Sequence, residues 1–252
     1  MSLDTELRAW GDDLRTALRF LTRLSPRAAV AGDLRRAVRV FPLVGLVVGA
    51  LGGVAARVAD GLGLPPLVAA LLAVAATVLV TGGLHEDGLA DTADGFGGGA
   101  SRERKLEIMR DSRSGAFGVL ALVFSVGLRA AALASLVANG HLTGALLAAH
   151  AASRGLLPVA MRFLDPARSD GLGAAAGRPE ARAVLWSLGL GAAAALVALG
   201  PARGLVALLC SGLAVAGLAA LARRQIGGYT GDVLGAVQQV GETVMLLSAA
   251  AT

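Results

Sequence analysis

The chain has 252 residues, of which 55% are hydrophobic and only 16% charged, and its mean hydropathy is +0.68. Ordinary soluble domains are about 45–50% apolar and about 25% charged, so water is not this chain's only solvent. A net charge of +5 raises the question of nucleic acid, but the bases sit beside apolar stretches and aromatic residues make up only 4%, a distribution that fits membrane topology and excludes a nucleic-acid partner from the reading.

The first residues lack the short basic region and apolar core of a cleaved signal peptide, so the first span is expected to act as the insertion signal. Over 3–24, Leu7, Trp10, Leu14, Ala17, Leu18 and Leu21 recur at helical spacing, with Arg8, Asp12, Asp13, Arg15 and Arg19 on other faces. This predicts an amphipathic helix lying on the membrane interface. A basic stretch with Arg35, Arg36 and Arg39 completes an N-terminal segment, 1–39, and a first span follows at about 40–59, with Pro42 in the first turn where a helix tolerates it.

A second span covers about 65–84, and a charged segment, 85–115, follows it. Spans at about 116–138 and 141–161 are separated by the turn dipeptide Asn139-Gly140. A polar loop, 162–182, precedes spans at about 183–200 and 203–222, and a last apolar helix fills about 234–251. Several of these stretches reach the ~20 residues that cross a bilayer. The expected fold is therefore all-α: a polytopic transmembrane helical bundle of about seven spans, six to eight by this reading, with an N-terminal amphipathic interfacial helix, in one integral membrane domain, 1–252.

Basic residues are retained on the cytoplasmic side. One side receives the N-terminal bases, then Arg102, Arg104, Lys105, Arg110 and Arg113, then Arg162, Arg168, Arg178 and Arg182, then Arg223 and Arg224; the other receives only Arg57 and Arg203. The N-terminus is expected inside, the C-terminus outside, and every polar loop rich in aspartate and arginine on the cytoplasmic face. The single cysteine, Cys210, lies in an apolar stretch and offers no disulfide framework or cysteine metal cluster.

The segment His85-Glu86-Asp87-Gly88-Leu89-Ala90-Asp91-Thr92-Ala93-Asp94-Gly95 carries the most chemistry. Asp87, Asp91 and Asp94 stand at i, i+4 and i+7, one face of a helix, with Glu86 beside them. Stacked carboxylates repel unless neutralised, and a hard divalent cation such as Mg2+, which favours carboxylate and phosphate oxygens, is the natural neutraliser. A solvated acidic face is the plain alternative, disfavoured because the run begins at the end of an apolar span, where charge is costly. Gly88 and the run from Gly95 to Gly99 offer a backbone that a large ligand can approach.

Downstream, Arg110, Asp111 and Arg113 precede the third span. Arginine forks suit phosphate oxygens, and Asp111 is a further candidate ligand or an orienting group; positive-inside anchoring explains some of these bases equally well. Gly228-Tyr229-Thr230-Gly231-Asp232 places a carboxylate at the start of the last helix, as catalyst or as N-cap, and Glu242 falls within that helix. Arg129 and Arg154 are intramembrane, with Arg154 one turn beyond His150. His85 is a candidate base or donor, and no second histidine stands at zinc-ligand spacing. The loop from Asp165 to Gly177, with Arg168, Asp170 and Gly171-Leu172-Gly173, is either a cover for the site or a connector.

Three motifs in order, His-Glu-Asp-Gly-Leu-Ala-Asp-Thr-Ala-Asp-Gly, then Arg-Lys-Leu-Glu-Ile-Met-Arg-Asp-Ser-Arg-Ser-Gly-Ala-Phe-Gly, then Gly-Tyr-Thr-Gly-Asp-Val-Leu-Gly-Ala, resemble the cobalamin synthase family, the adenosylcobinamide-GDP ribazoletransferases, over nearly the whole chain. The resemblance implies the last assembly step of cobalamin. A ribose oxygen of α-ribazole, or of its 5′-phosphate, attacks the cobinamide-side phosphate of adenosylcobinamide-GDP and releases GMP, with Mg2+ required. Asp87, Asp91 and Asp94 would hold the metal, with Glu86 or Asp111 completing the shell, and Asp232 or His85 would take the hydroxyl proton. Arg110, Arg113, Arg154, Gly95 and Thr230 would contact substrate. The implied location is a multi-pass protein of the cell inner membrane with its site facing the cytoplasm; a homo-oligomer or association with other enzymes of the pathway stays open, since small residues throughout the spans permit close packing.

The acidic run also resembles the aspartate motif of CDP-alcohol phosphotransferases, but Asp91 stands where that motif has arginine and its later glycine and aspartates are missing at the usual spacing. A cation-coupled transporter would place its carboxylates near the bilayer midplane on broken helices, whereas most of these lie at one membrane surface.

Overall fold

The computed structural model describes residues 3–25, 32–171 and 176–251, and the described residues form helices and connecting turns with no strand among them. Helix α1 spans Leu3–Leu21, and the short α2 (Leu34–Ala37) runs through a 3-10 turn, Val38–Val40, into α3 (Phe41–Gly61). Then come α4 (Pro66–Thr81), α5 (Leu84–Gly98), α6 (Arg102–Ile108), α7 (Ala116–Ala138), α8 (Leu142–Phe163), α9 (Ala181–Leu199), α10 (Pro201–Ile226) and α11 (Gly231–Ala251). Of the loop glycines singled out above, Gly171 is described, while Leu172 and Gly173 lie outside the described residues.

Five stretches are long and apolar enough to cross a membrane: Leu34–Gly61, Ala116–Val137, Ala181–Leu199, Pro201–Ile226 and Gly231–Ala251. Helices α4 and α5 together carry the apolar length of one more, but they meet at 92°. Gly82 and Gly83 both take left-handed backbone there, with φ of +68° and +70°, a conformation that side chains beyond glycine rarely tolerate. Helix α5 turns aside from α4 at this break, so the carboxylates from Asp87 onward lie outside the five stretches named above.

The remaining expected span, α8, is less apolar for a physical reason. It packs against α3, α9 and α11 at the centre of the bundle, so its buried polar residues His150, Ser153 and Arg154 meet protein and not lipid. Glycines permit the approach: a Cβ on Gly49 of α3 would lie 2.6 Å from the Leu146 carbonyl oxygen of α8. Lipid-facing surface is carried instead by outer helices, where Val54 and Val58 of α3, Phe124 of α7 and Leu209 and Leu213 of α10 are exposed, a cladding that only an apolar medium covers without loss.

Helix α1 does more than rest on an interface. Ala17 and Leu21 are buried in the core with Phe41, Leu157 and Val233, and Trp10 meets Trp186 of α9 edge to face at 5.5 Å. Buried Asp13 binds Arg36 at 2.9 Å and Arg39 at 2.7 Å, which ties α1 to α2 and to the 3-10 turn that leads into α3. Leu7 remains 63% exposed, so the first turns keep the interfacial character the sequence suggests.

Candidate active site

Helix α5 crosses α11 at Gly88, and the crossing brings the first and last chemical motifs together. A cavity of about 250 Å3 opens beside it, bordered by His85 and Asp87 of α5, Arg168 of the 162–171 loop and Asp232 of α11. Its other wall is apolar and comes from Phe20, Phe41, Leu157 and Met161, with the Phe20 and Phe41 rings stacked at 6.1 Å. The loop reaches the cavity because it is clasped to the segment before α11: Tyr229 N–H donates to the Asp165 carbonyl at 2.9 Å and Ala167 N–H to the Tyr229 carbonyl at 2.8 Å.

Asp232 is oriented twice. Arg168 Nη2 donates to its Oδ2 at 3.1 Å and Thr230 Oγ1 donates to the same oxygen at 3.1 Å. Thr230 also accepts from Val233 N–H at 3.3 Å, so the cap of α11 is Thr230 and the Asp232 carboxylate is left to the cavity. Arg168 Nη1 and His85 Nε2 are buried polar atoms with no hydrogen-bond partner among the described residues, and both side chains border the cavity.

The acidic run divides among separate tasks. Glu86 Oε1 accepts from Arg129 at 3.2 Å and from Gln239 at 3.0 Å, which commits it to a buried network inside the bundle. In that network Arg129 also donates to Glu242 at 2.9 Å, Glu242 accepts from Gln238 at 2.6 Å and approaches His150 at 3.0 Å, and Arg154 Nη1 lies 3.0 Å from His150 Nδ1. Two carboxylates thus answer two guanidiniums, which is how charge survives away from water. Arg154, read from sequence as a substrate contact, is 1% exposed within this network and does not border the cavity.

Asp94 has a structural partner on each oxygen: Gly115 N–H donates to Oδ2 at 2.7 Å and Gly118 N–H to Oδ1 at 2.8 Å. Gly115 begins α7 without a capping side chain, and Asp94 supplies one from another helix. Asp111 is bound to Arg113 at 2.7 Å, and that contact pulls its carboxyl down to about 2; Arg110 pairs with Asp170 at 2.7 Å, both exposed. Gly95 is packed against α6, where a Cβ would lie 2.5 Å from Met109 Cγ.

Asp87 and Asp91, one turn apart, are the carboxylates of the run left without a protein donor or ion pair among the described residues. Burial, then the charges of Asp87, Asp232 and Asp94, push Asp91 up to about 7 against the opposing pull of Arg168. Such a cluster is short of positive charge. Among the described residues no three histidine, cysteine or acidic side chains gather into a metal-holding group. The donors on offer suit a magnesium-like ion that takes one or two carboxylates and completes its shell with phosphate and water, not one held in an all-protein cage.

Of the residues singled out from the sequence, His85, Asp87 and Asp232 border the cavity and Asp91 feels the charges of Asp87 and Asp232, whereas the cavity's apolar side was not anticipated. Phe20 and Phe41 belong to an amphipathic helix and to the start of a span, and nothing local distinguishes them from packing residues. Gln238 and Gln239 were missed too, although paired amides inside an apolar helix were a readable signal.

A helical bundle clad in lipid-facing side chains, with a carboxylate-bordered cavity where α5 crosses α11, defines a polytopic membrane protein. Residues 13–250 match the family described as Cobalamin-5-phosphate synthase, and the chain belongs to that family. It is 52% identical over 95% of its length to the adenosylcobinamide-GDP ribazoletransferase of Bradyrhizobium diazoefficiens, covering 93% of that protein. The enzymes of the same name from Azorhizobium caulinodans and Mesorhizobium japonicum are 49% and 48% identical, over 93% and 94% of this chain and 94% and 92% of theirs. No solved structure matches the chain.

Proposed function

We propose that this protein transfers the adenosylcobinamide phosphate moiety of adenosylcobinamide-GDP to α-ribazole or its 5′-phosphate, with release of GMP. The observation that carries the reading is the cavity shared by His85, Asp87, Arg168 and Asp232 in a chain of this family. The acceptor's aromatic base suits the Phe20 and Phe41 wall, and its ribose hydroxyl suits the polar wall opposite.

A ribose hydroxyl of the acceptor, one that a 5′-phosphate leaves free, forms a new bond from its oxygen to the cobinamide-side phosphorus as the phosphorus–oxygen bond to GMP breaks, and GMP leaves with the bonding electrons. The hydroxyl proton goes to His85, which borders the cavity and whose Nε2 has no hydrogen-bond partner among the described residues. Asp232, fixed by Arg168 and Thr230, orients that hydroxyl. Magnesium, held through Asp87 and Asp91, would supply neutralisation of the diphosphate's charge when bound. The arginine-rich loops support a site that faces the cytoplasm from the inner membrane, since bases are retained on that side.

The test follows GMP release by purified protein in detergent given adenosylcobinamide-GDP, α-ribazole and magnesium. Release that exceeds an Asp87→Ala sample and requires the acceptor is expected. Equal release from both would overturn the reading, and metal-dependent transfer from a CDP-alcohol would replace it with a lipid-synthesising one.

A further inference from the structure

A second, larger cavity of about 690 Å3 is also bordered by Asp87, a volume within the range of about 300–1,000 Å3 typical of small-molecule sites. Asp87, Leu84 and Phe20 border both cavities. The far wall of the second differs in chemistry: it carries Arg19, Arg23, Ser25 and Ser114, and the glycine break between α4 and α5. We propose that this cavity binds a nucleoside phosphate, the GMP portion of the activated substrate, with Arg19 and Arg23 on its phosphate oxygens. The proposal rests on the transferase reading above for the identity of the nucleotide and on the cavity itself for the class of ligand.

Charge accounting singles out these two arginines. Of the cations around the site, Arg168 is paired with Asp232, Arg129 with Glu86 and Glu242, Arg110 with Asp170, Arg113 with Asp111, and Arg36 and Arg39 with Asp13. Arg19 donates only to the Ser25 hydroxyl, at 3.4 Å, and among the described residues neither Arg19 nor Arg23 meets a carboxylate. Two uncompensated guanidiniums, one helical turn apart in sequence and bordering a cavity edged by Asp87, are what an anion needs and what α5 lacks.

Arg23 is also built into place. Its N–H donates to the Val80 carbonyl at 2.7 Å, and its side chain occupies the space that a Cβ on Gly82 would take. The two cavities therefore share an aspartate, one with a largely apolar wall and the other with a cationic one. Displacement at phosphorus needs separate places for nucleophile and leaving group, and two cavities that share Asp87 offer one for each.

Phosphate oxygens also come from lipid headgroups, so the experiment separates the sources. Wild type, Arg19→Ala, Arg23→Ala and Arg23→Lys would be placed in nanodiscs of neutral lipid, and GMP affinity measured by equilibrium dialysis beside steady-state kinetics. The alanine variants are expected to weaken GMP binding at least 10-fold and to raise KM for adenosylcobinamide-GDP by a similar factor, with KM for α-ribazole within 2-fold; Arg23→Lys should fall between. Unchanged GMP affinity, or no GMP binding by wild type, would overturn the proposal. Loss of stimulation by anionic phosphatidylglycerol with GMP affinity intact would also overturn it and assign the arginines to lipid. Arginine-dependent GMP binding by a protein that shows no turnover would sink the transferase reading and leave the nucleotide pocket standing.

Discussion

Gly88 of α5 and Gly235 of α11 meet backbone to backbone: a Cβ built on either would lie 3.0 Å from the other's Cα. Asp87 is adjacent to one of these glycines and Asp232 is three residues before the other, so the crossing sets the separation of the two carboxylates. Gly88→Ala should push the helices apart. We expect turnover to fall about 100-fold, the penalty for a displacement near 1 Å, while the protein still inserts and runs as a single species by size exclusion. Full activity in this variant would show that the crossing does not position the site.

Asp91 should make stability fall with rising pH. Its folded pKa of about 7 lies above the ordinary aspartate value of 3.8, so between those values the folded state keeps a proton that the unfolded chain has released, and each step up in pH costs stability until about pH 7. Melting curves without magnesium from pH 5 to 8 should show this decline in wild type and a flatter profile in Asp91→Asn, which should also be inactive. Identical slopes would remove Asp91 as the cause.

Glu242→Gln should be among the most disruptive single changes. It leaves Arg129 and Arg154 in the bundle with Glu86 as the remaining carboxylate of the network, and breaking a buried pair costs about 3–5 kcal/mol. Denaturant titration in detergent should show the loss, and adding Arg129→Met should recover part of it. If the double variant were as unstable as the sum of its parts, the pairing would not be the source.

Asp94→Ala removes the partner of two α7 amides, and a lost helix cap costs about 1–2 kcal/mol. The melting temperature should drop and Asp94→Asn, which keeps one acceptor oxygen, should fall less. A direct metal-ligand role would show instead as lost activity with unchanged melting.

Periodicity and apolar length made most of this architecture legible, because a crossing helix must be apolar over its whole length. The exceptions have local causes. Helix α8 is surrounded by protein, so Arg154 and His150 are tolerated; the α4–α5 turn depends on two adjacent left-handed glycines whose geometry a hydropathy profile does not register. Within the acidic run, spacing gave Asp87, Asp91 and Asp94 one face but not their separate duties. Which carboxylate caps, which pairs and which stays free is decided by α7, α11 and Arg129, all remote in sequence. The same remoteness hid the role of Arg19 and Arg23, which look like the polar side of a surface helix until Gly82 and Asp87 are placed beside them.

The cap on α7 also has an order in time. Asp94 precedes Gly115 and Gly118 in the chain, so a ribosome finishes the acceptor before the amides that need it. Unbonded amides are expensive near hydrocarbon, and α7 emerges with its partner already synthesised. The loss of that carboxylate is therefore expected to show first as a lower yield of inserted protein, ahead of any effect on catalysis.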